Sequence, residues 1–282
     1  MKVLMLGDSH VGKTTYMAAM YKVMADDDSI CIHALDRDDD RTLKRFSGAL
    51  SKGRYPNKTE LKSDYDFSLD FKSTDNDFHF FNFSWIDHPG GAIYMPTSEP
   101  IPAELRRNLD EVDALVVFLD WTQLNSPTQL RQWNRIKQFM LRFIARANEN
   151  NLLALTIILT KADINIDFDL DKAVVWQELL KFIGSVNNNQ SLLGMLAMSA
   201  INRKTTGNVY FTFMRSMCMG LYKETTRKID IINNRSFWEK IKYALFDDQT
   251  RTDMIWLNTF LDAINNSITE HAEFDDGGYI LF

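Results

Sequence analysis

Short apolar runs alternate with amphipathic stretches along most of this chain. Lys2-Val3-Leu4-Met5-Leu6 has the pattern of a buried strand, and Thr15 to Met24 reads as a helix rich in good helix formers. Leu43, Phe46, Ala49 and Leu50 recur at helical spacing and predict a helix over about 39–52. "GRYPNKTELKS" then reads as a loop, marked by Gly53, Pro56 and Asn57. Tyr65, Phe67, Leu69 and Phe71 alternate with polar residues, as in a half-buried strand. A second strand follows through Phe78, Phe80 and Phe81 to Ile86, and the simplest pairing of the two is an antiparallel hairpin around "STDND".

Further on, Val112 to Leu119, Leu152 to Leu159 and Leu192 to Met198 are apolar enough to be strands covered on both faces. Ser126-Pro127 is a helix start, an N-cap hydroxyl followed by proline at the first helical position, and predicts a helix to about Asn148. A second helix is expected from Leu170 to Ile183. A third is lined by Tyr210, Phe213, Met214, Met217 and Leu221. Buried strands separated by helices imply an α/β fold with a mostly parallel sheet. The expected boundary lies near Lys228, giving a main domain over 1–228 and a helical extension over 229–282. The extension opens on a capping-box signal, Ser236-Phe237-Trp238-Glu239, and predicts a second helix from Thr252 to Glu270. About fifty residues bury too little core to stand as an independent domain.

Composition changes this picture little. The 282 residues are 45% hydrophobic and 25% charged, with a formal net charge of −6, which argues against nucleic acid as the main partner. Acidic runs at Asp26 to Asp28 and Asp36 to Asp40 read as a solvated loop and a helix N-terminus. Cys31 and Cys218 give no disulfide framework and fit a reducing compartment, where small buried thiols are ordinary. No apolar run approaches a membrane span and no lipid-anchor motif is present. With a strand expected from residue 2 and no leader before it, a cytoplasmic protein is the expectation.

Chemistry enters at the first strand. Gly7-Asp8-Ser9-His10-Val11-Gly12-Lys13-Thr14 satisfies every fixed position of the phosphate-binding P-loop, with strand, loop and helix in the required order. Consecutive loop amides can cradle phosphate oxygens, and glycines let the backbone approach closely. Lys13 would reach the β- and γ-phosphates, and the Thr14 hydroxyl would be a ligand for Mg²⁺, with Thr15 beside it.

Three further stations end strands. Asp87-His88-Pro89-Gly90-Gly91 offers a carboxylate for a second Mg²⁺ contact and, at Gly90, an amide for a γ-phosphate. Thr160-Lys161-Ala162-Asp163 offers a carboxylate that can accept from the N1–H and N2–H₂ edge of guanine, a donor pair adenine lacks. The aliphatic stem of Lys161 can cover the base. Ser199-Ala200-Ile201 offers an amide to guanine O6. Each of the three is a common turn on its own, but their order at successive strand ends is where open α/β sheets bind ligands.

The set resembles the P-loop GTPase superfamily, whose signature is GxxxxGK[ST], a switch threonine, DxxG, [NT]KxD and SA[KLI], over roughly 1–228. "GRYPNKT" with "DHPGG" further resembles bacterial GTPases of the double-GTPase type. The resemblance implies a three-layer sandwich around a six-stranded sheet with one antiparallel edge strand. It also implies GTP and GDP as ligands, Mg²⁺ as cofactor, two switch segments and a protein effector or activator. It makes Thr59 the best switch threonine and third metal ligand, although Thr59 stands much further from the P-loop than in small GTPases. Ras-like enzymes carry a water-orienting glutamine where this chain has Gly91. His88 is the nearest substitute, Arg54 is a candidate charge donor, and either can equally be an ordinary loop residue. Slow intrinsic hydrolysis is therefore expected. The alternatives are a nucleotide-binding or pseudo-GTPase interaction module without significant turnover, and a P-loop ATPase.

Overall fold

A computed structural model describes residues 1–25, 30–55, 64–72, 77–88, 98–148, 151–186, 189, 191–199 and 279–281, with isolated positions at 227, 230, 234 and 236. The helices expected over 210–221 and 252–270 lie outside the described residues.

The strands are β1 Lys2–Gly7, β2 Ile30–Ala34, β3 Asp64–Lys72, β4 Asp77–Asp87, β5 Ala114–Asp120, β6 Leu153–Thr160, β7 Leu192–Ser199 and β8 Tyr279–Leu281. The helices are α1 Lys13–Ala25, α2 Arg37–Leu50, α3 Ala103–Glu111, α4 Pro127–Ile144 and α5 Val174–Val186. They surround one sheet with strand order β2-β3-β4-β1-β5-β6-β7-β8. Its centre is parallel from β4 through β7. β3 runs antiparallel to β4, which is the expected hairpin. The stretch from β3 to β7 is thus the six-stranded sheet with one antiparallel strand. Beyond the expectation, β2 extends it antiparallel at one edge and β8 at the other.

Two cores explain the layering. On one face α1 lays Tyr16, Met17, Met20 and Met24 against Val3, Met5, Phe67, Phe83 and Trp85, with Leu43 of α2 beside them. On the other face Leu105 and Leu109 of α3, Trp133, Ile136 and Phe139 of α4, and Leu179 and Phe182 of α5 cover Leu4, Leu6, Leu115, Val117 and Leu155. β5 and β6 are buried almost end to end, as their continuous apolar sequences require. Each fully buried large side chain contributes roughly 1.5–3 kcal/mol, and both cores use the sheet as their common wall.

Local signals set the helix boundaries. Asp36 caps α2, its carboxylate accepting from the amides of Asp38 and Asp39, and the acidic run that follows sits in the favourable first turn. Ser126 caps α4 with Pro127 behind it, as expected, although the helix stops at Ile144. α5 starts at Val174 rather than Leu170, because Asp169 caps a separate single turn of 3-10 helix over Leu170–Lys172. Among the described elements, β2, β8 and α3 were not expected. β2 has five residues and β8 three, too few to show a period, and α3 buries only two residues and lacks a side-chain cap.

Candidate functional site

The backbone register brings the stations to one edge of the sheet. Met5 stands opposite Asp87 on one side and Val116 on the other. Gly7 is level with Phe118. Two residues further, Asp120 pairs with Thr160 and Thr160 with Ser199. β4, β1, β5, β6 and β7 therefore all finish at the end where the P-loop leaves the sheet.

The loop from Asp8 to Gly12 is held from several directions. A Cβ added at Gly7 would fall 2.9 Å from Val11 Cγ1 and 3.0 Å from both the Cβ and carbonyl oxygen of Phe118, so the turn there needs glycine. Gly12 has φ 100°, a conformation that L side chains rarely adopt. His10 (φ 67°) and Lys161 (φ 59°) are the two described non-glycine residues in the left-handed region. Both lie in stations identified from the sequence, where backbone strain is commonly concentrated. Asp8 accepts from the Ser9 amide at 2.5 Å through Oδ1 and from Gln132 Nε2 at 2.7 Å through Oδ2. Helix α1 begins at once, with the Tyr16 amide donating to Gly12 at 2.8 Å.

Lys13 is 8% exposed. Its ammonium donates to the carbonyls of Gly7 (2.9 Å) and Asp8 (3.2 Å) and stands 3.7 Å from Asp87 Oδ1. One buried cation thus ties the P-loop to the end of β4. Thr14 and Thr15 are half-buried in the first turn of α1, and His88 is half-buried, its amide donating to Met5 at 3.3 Å.

The station at Thr160 connects directly to the P-loop. Thr160 is buried; its hydroxyl lies 2.6 Å from the Val11 carbonyl oxygen and 3.1 Å from that of Leu119. The same threonine lies against Gly12, where an added Cβ would stand 3.7 Å from it. Lys161 holds its ammonium on Asp120 Oδ2, which leaves its stem half-exposed. Asp120 Oδ1 accepts from the amide (3.0 Å) and hydroxyl (2.6 Å) of Thr122, and its carbonyl from Gln129 Nε2 (3.0 Å). Asp163 is exposed in a turn closed by the Ile164 amide on the Lys161 carbonyl at 3.0 Å. Of Ser199 the backbone alone is described. Thr59, Gly90 and Ala200 lie outside the described residues.

Three supporting residues escaped the sequence reading. Gln129 and Gln132 are each 6% exposed on α4 and reach Asp120 and Asp8. Two glutamines three positions apart on a helix face continuing through Trp133, Ile136 and Phe139 are out of place in a core, and that mismatch was a usable signal. Asp120, at a strand end in line with the four stations, was another.

A family profile described as Double-GTPase 1 matches residues 4–197. No curated protein matches the sequence. Among solved structures, the chain is similar to one in the signal recognition particle receptor SRb-GTP/SRX complex from Chaetomium thermophilum, with 14% identity, 71% of this chain and 90% of that chain covered, and a TM-score of 0.40. It is also similar to an ADP ribosylation factor-like GTP-binding protein/small COPII coat GTPase from Encephalitozoon cuniculi in complex with GDP, with 12% identity, coverage of 80% and 82%, and a TM-score of 0.39. Among the described residues no helix is long and apolar enough to cross a membrane. The family match spans more than half of the 282 residues, and the chain belongs to the Double-GTPase 1 family, within the P-loop GTPase superfamily.

Proposed function

We propose that this protein is a Mg²⁺-dependent guanine-nucleotide switch with slow intrinsic GTP hydrolysis. The observation that carries the reading is the hydroxyl of Thr160 on the Val11 carbonyl. It makes the phosphate loop and the turn bearing Asp163 one connected platform, so a single ligand can engage both.

The residues present suit a nucleoside triphosphate. The glycine at position 7 leaves the backbone bare where a Cβ would clash, and a buried ammonium lies along the loop carbonyls. Lys13 would hold the β- and γ-phosphates, with the amides from Ser9 to Thr15 completing the cradle. Gly90 would present its amide to the γ-phosphate. Asp163 would read the guanine edge, the Lys161 stem would cover the base, and the Ser199-Ala200 backbone would donate to O6. Thr14, Asp87 and Thr59 would hold Mg²⁺, which when bound neutralises charge on the phosphate oxygens. Asp87 suits that role, since its carboxylate already faces the Lys13 ammonium.

Slow hydrolysis rests on Gly91, which has no side chain to orient water, with His88 as the nearest group able to act. The two segments that answer to the γ-phosphate, around Thr59 and after Asp87, would be read by a protein effector or activator. Residues 1–228 would form the nucleotide-binding unit and 229–282 its extension.

Thermal shift with GDP, GTP and ATP tests the reading. Guanine nucleotides at a hundred times their dissociation constant should add roughly 2.7 kcal/mol of stability, well beyond ATP at the same concentration. Equal shifts with ATP and GTP would reject the assignment of Asp163. Single-turnover hydrolysis tests the switch. Fast turnover by the protein alone, unchanged in His88→Ala, would reject slow hydrolysis and the His88 role together.

A further inference from the structure

A second cluster of chemically active side chains lies on β2 and β3, away from the nucleotide platform. Cys31 and His33 are two residues apart on β2 and so share one face of the sheet. Cys31 stands opposite Asp70 in the register, and His33 opposite Ser68. Cys31 Sγ is 3.4 Å from His33 Nε2, and the same nitrogen is 4.0 Å from Asp70 Oδ2. The three donor atoms lie within 4.8 Å of one another.

Cysteine, histidine and aspartate together first suggest a nucleophile with its base and orienting carboxylate. That arrangement needs the thiol on one ring nitrogen and the carboxylate on the other. Here both face Nε2, so Asp70 cannot orient the imidazole as a base, and the three donors instead form one cluster within 4.8 Å. Tetrahedral zinc, with bonds of about 2.3 Å to sulfur and 2.0–2.2 Å to nitrogen and oxygen, sets its ligand atoms roughly 3.3–3.6 Å apart. The Sγ–Nε2 pair already has this spacing. The Nε2–Oδ2 pair must close by about half an ångström, a small movement for the half-exposed His33 side chain.

We propose that Cys31, His33 and Asp70 bind a zinc-class transition-metal dication and fasten the edge strand β2 to β3. Thiolate and imidazole select this class over magnesium or calcium. Ser68 Oγ donates to Asp70 Oδ1 at 2.8 Å, which orients the carboxylate with Oδ2 toward His33, a supporting contact typical of metal ligands. Cys31 is 1% exposed. Binding exchanges the thiol proton for the metal and releases it to solvent. His33, with half its side chain exposed, gives the entry path. Water completes the coordination. The register puts Asp70 level with His79, eight residues before β4 ends at Asp87. At about 3.3 Å per residue the site is roughly 26 Å from the nucleotide end, so it is structural rather than part of that platform.

Titration of the chelator-treated full chain with Co²⁺ tests the proposal. One equivalent should produce a thiolate-to-cobalt charge-transfer absorption that Zn²⁺ abolishes by displacement. Cys31→Ser should lose it, Cys218→Ser should keep it, and Ser68→Ala should weaken cobalt affinity roughly tenfold or more. His33→Ala changes a half-exposed side chain and keeps the test open if Cys31→Ser fails to fold; it too should lose the stoichiometric site. Absence of the band in the parent, or its survival in Cys31→Ser or His33→Ala, would overturn the assignment.

Discussion

The two halves of the proposed nucleotide platform are built differently. On the phosphate side Val11 and Lys13 are buried, and the loop is gripped by β4, β5, β6 and α4 through Asp87, Phe118, Thr160 and Gln132. On the base side Asp163 is exposed in a short turn, and Lys161 reaches back to Asp120 from a half-exposed position. The phosphate half is fixed by packing. The base half projects from a fixed root, Thr160. Strong binding to a highly charged group calls for dipoles and charges that do not reorganise, so rigidity belongs with the phosphates. Discrimination between purines needs one carboxylate at the right place, and a mismatched base is rejected because it leaves that carboxylate poorly paired. Affinity and specificity should therefore be separable by mutation.

The largest effect is expected at Lys13. Lys13→Ala would remove the proposed charge-assisted contacts to two phosphates, each worth roughly 1.5–3 kcal/mol. Affinity for GTP should fall by about a hundredfold or more, while the ratio of GTP to ATP affinity stays as in the parent. Isothermal titration with both nucleotides measures this. A ratio that collapses along with the affinity would show that the two halves are not independent.

Asp163→Ala is the converse. Loss of the guanine contact should cost GTP roughly 1.5–3 kcal/mol, about ten- to a hundredfold, and leave ATP binding where it was. Melting temperature without nucleotide should not move, because the side chain is exposed. A fall in ATP affinity of the same size would place Asp163 in the structure of the site rather than in base recognition.

How much of this was legible follows from the range of each interaction. The P-loop could be read because its constraints are local: a clash at Gly7, a positive φ at Gly12 and a lysine one residue later all occur within seven positions. The cap at Ser126 was equally readable, since a cap and its amides are neighbours. The four stations were recognisable by order. What held them together was not. Gln132 meets Asp8 across 124 positions, and Thr160 meets Val11 across 149. No local pattern encodes such pairings. The apolar face of α4 revealed that a glutamine was anomalous, but not which partner it had. β2 and β8 depend on their neighbours in the sheet for pairing, so their own residues carried too little information.

Thr160 is where the two halves meet, so it tests whether rigidity is shared between them. Thr160→Val keeps the shape and removes the hydroxyl, leaving the buried carbonyls of Val11 and Leu119 without that donor. A buried group that loses its partner costs about 1–3 kcal/mol, and this should appear in urea unfolding of the nucleotide-free protein. GTP and ATP should weaken together, by less than in Lys13→Ala, because the loop is loosened while its charges remain. Thr160→Ser should restore most of both.

The smallest effect is expected at Gln132. Gln132→Leu keeps the bulk of a buried position on α4 and deletes the single amide contact to Asp8 Oδ2. Asp8 keeps the Ser9 amide on its other oxygen and is half-buried, so water can take the vacated place. The net loss should be about 0.5–1.5 kcal/mol of stability, with GTP affinity reduced a fewfold and the purine ratio untouched. If instead Gln132→Leu matched Thr160→Val in affinity loss, Asp8 would be as important to the loop as the strand-end hydroxyl. The phosphate half would then owe its rigidity to α4 as much as to the sheet.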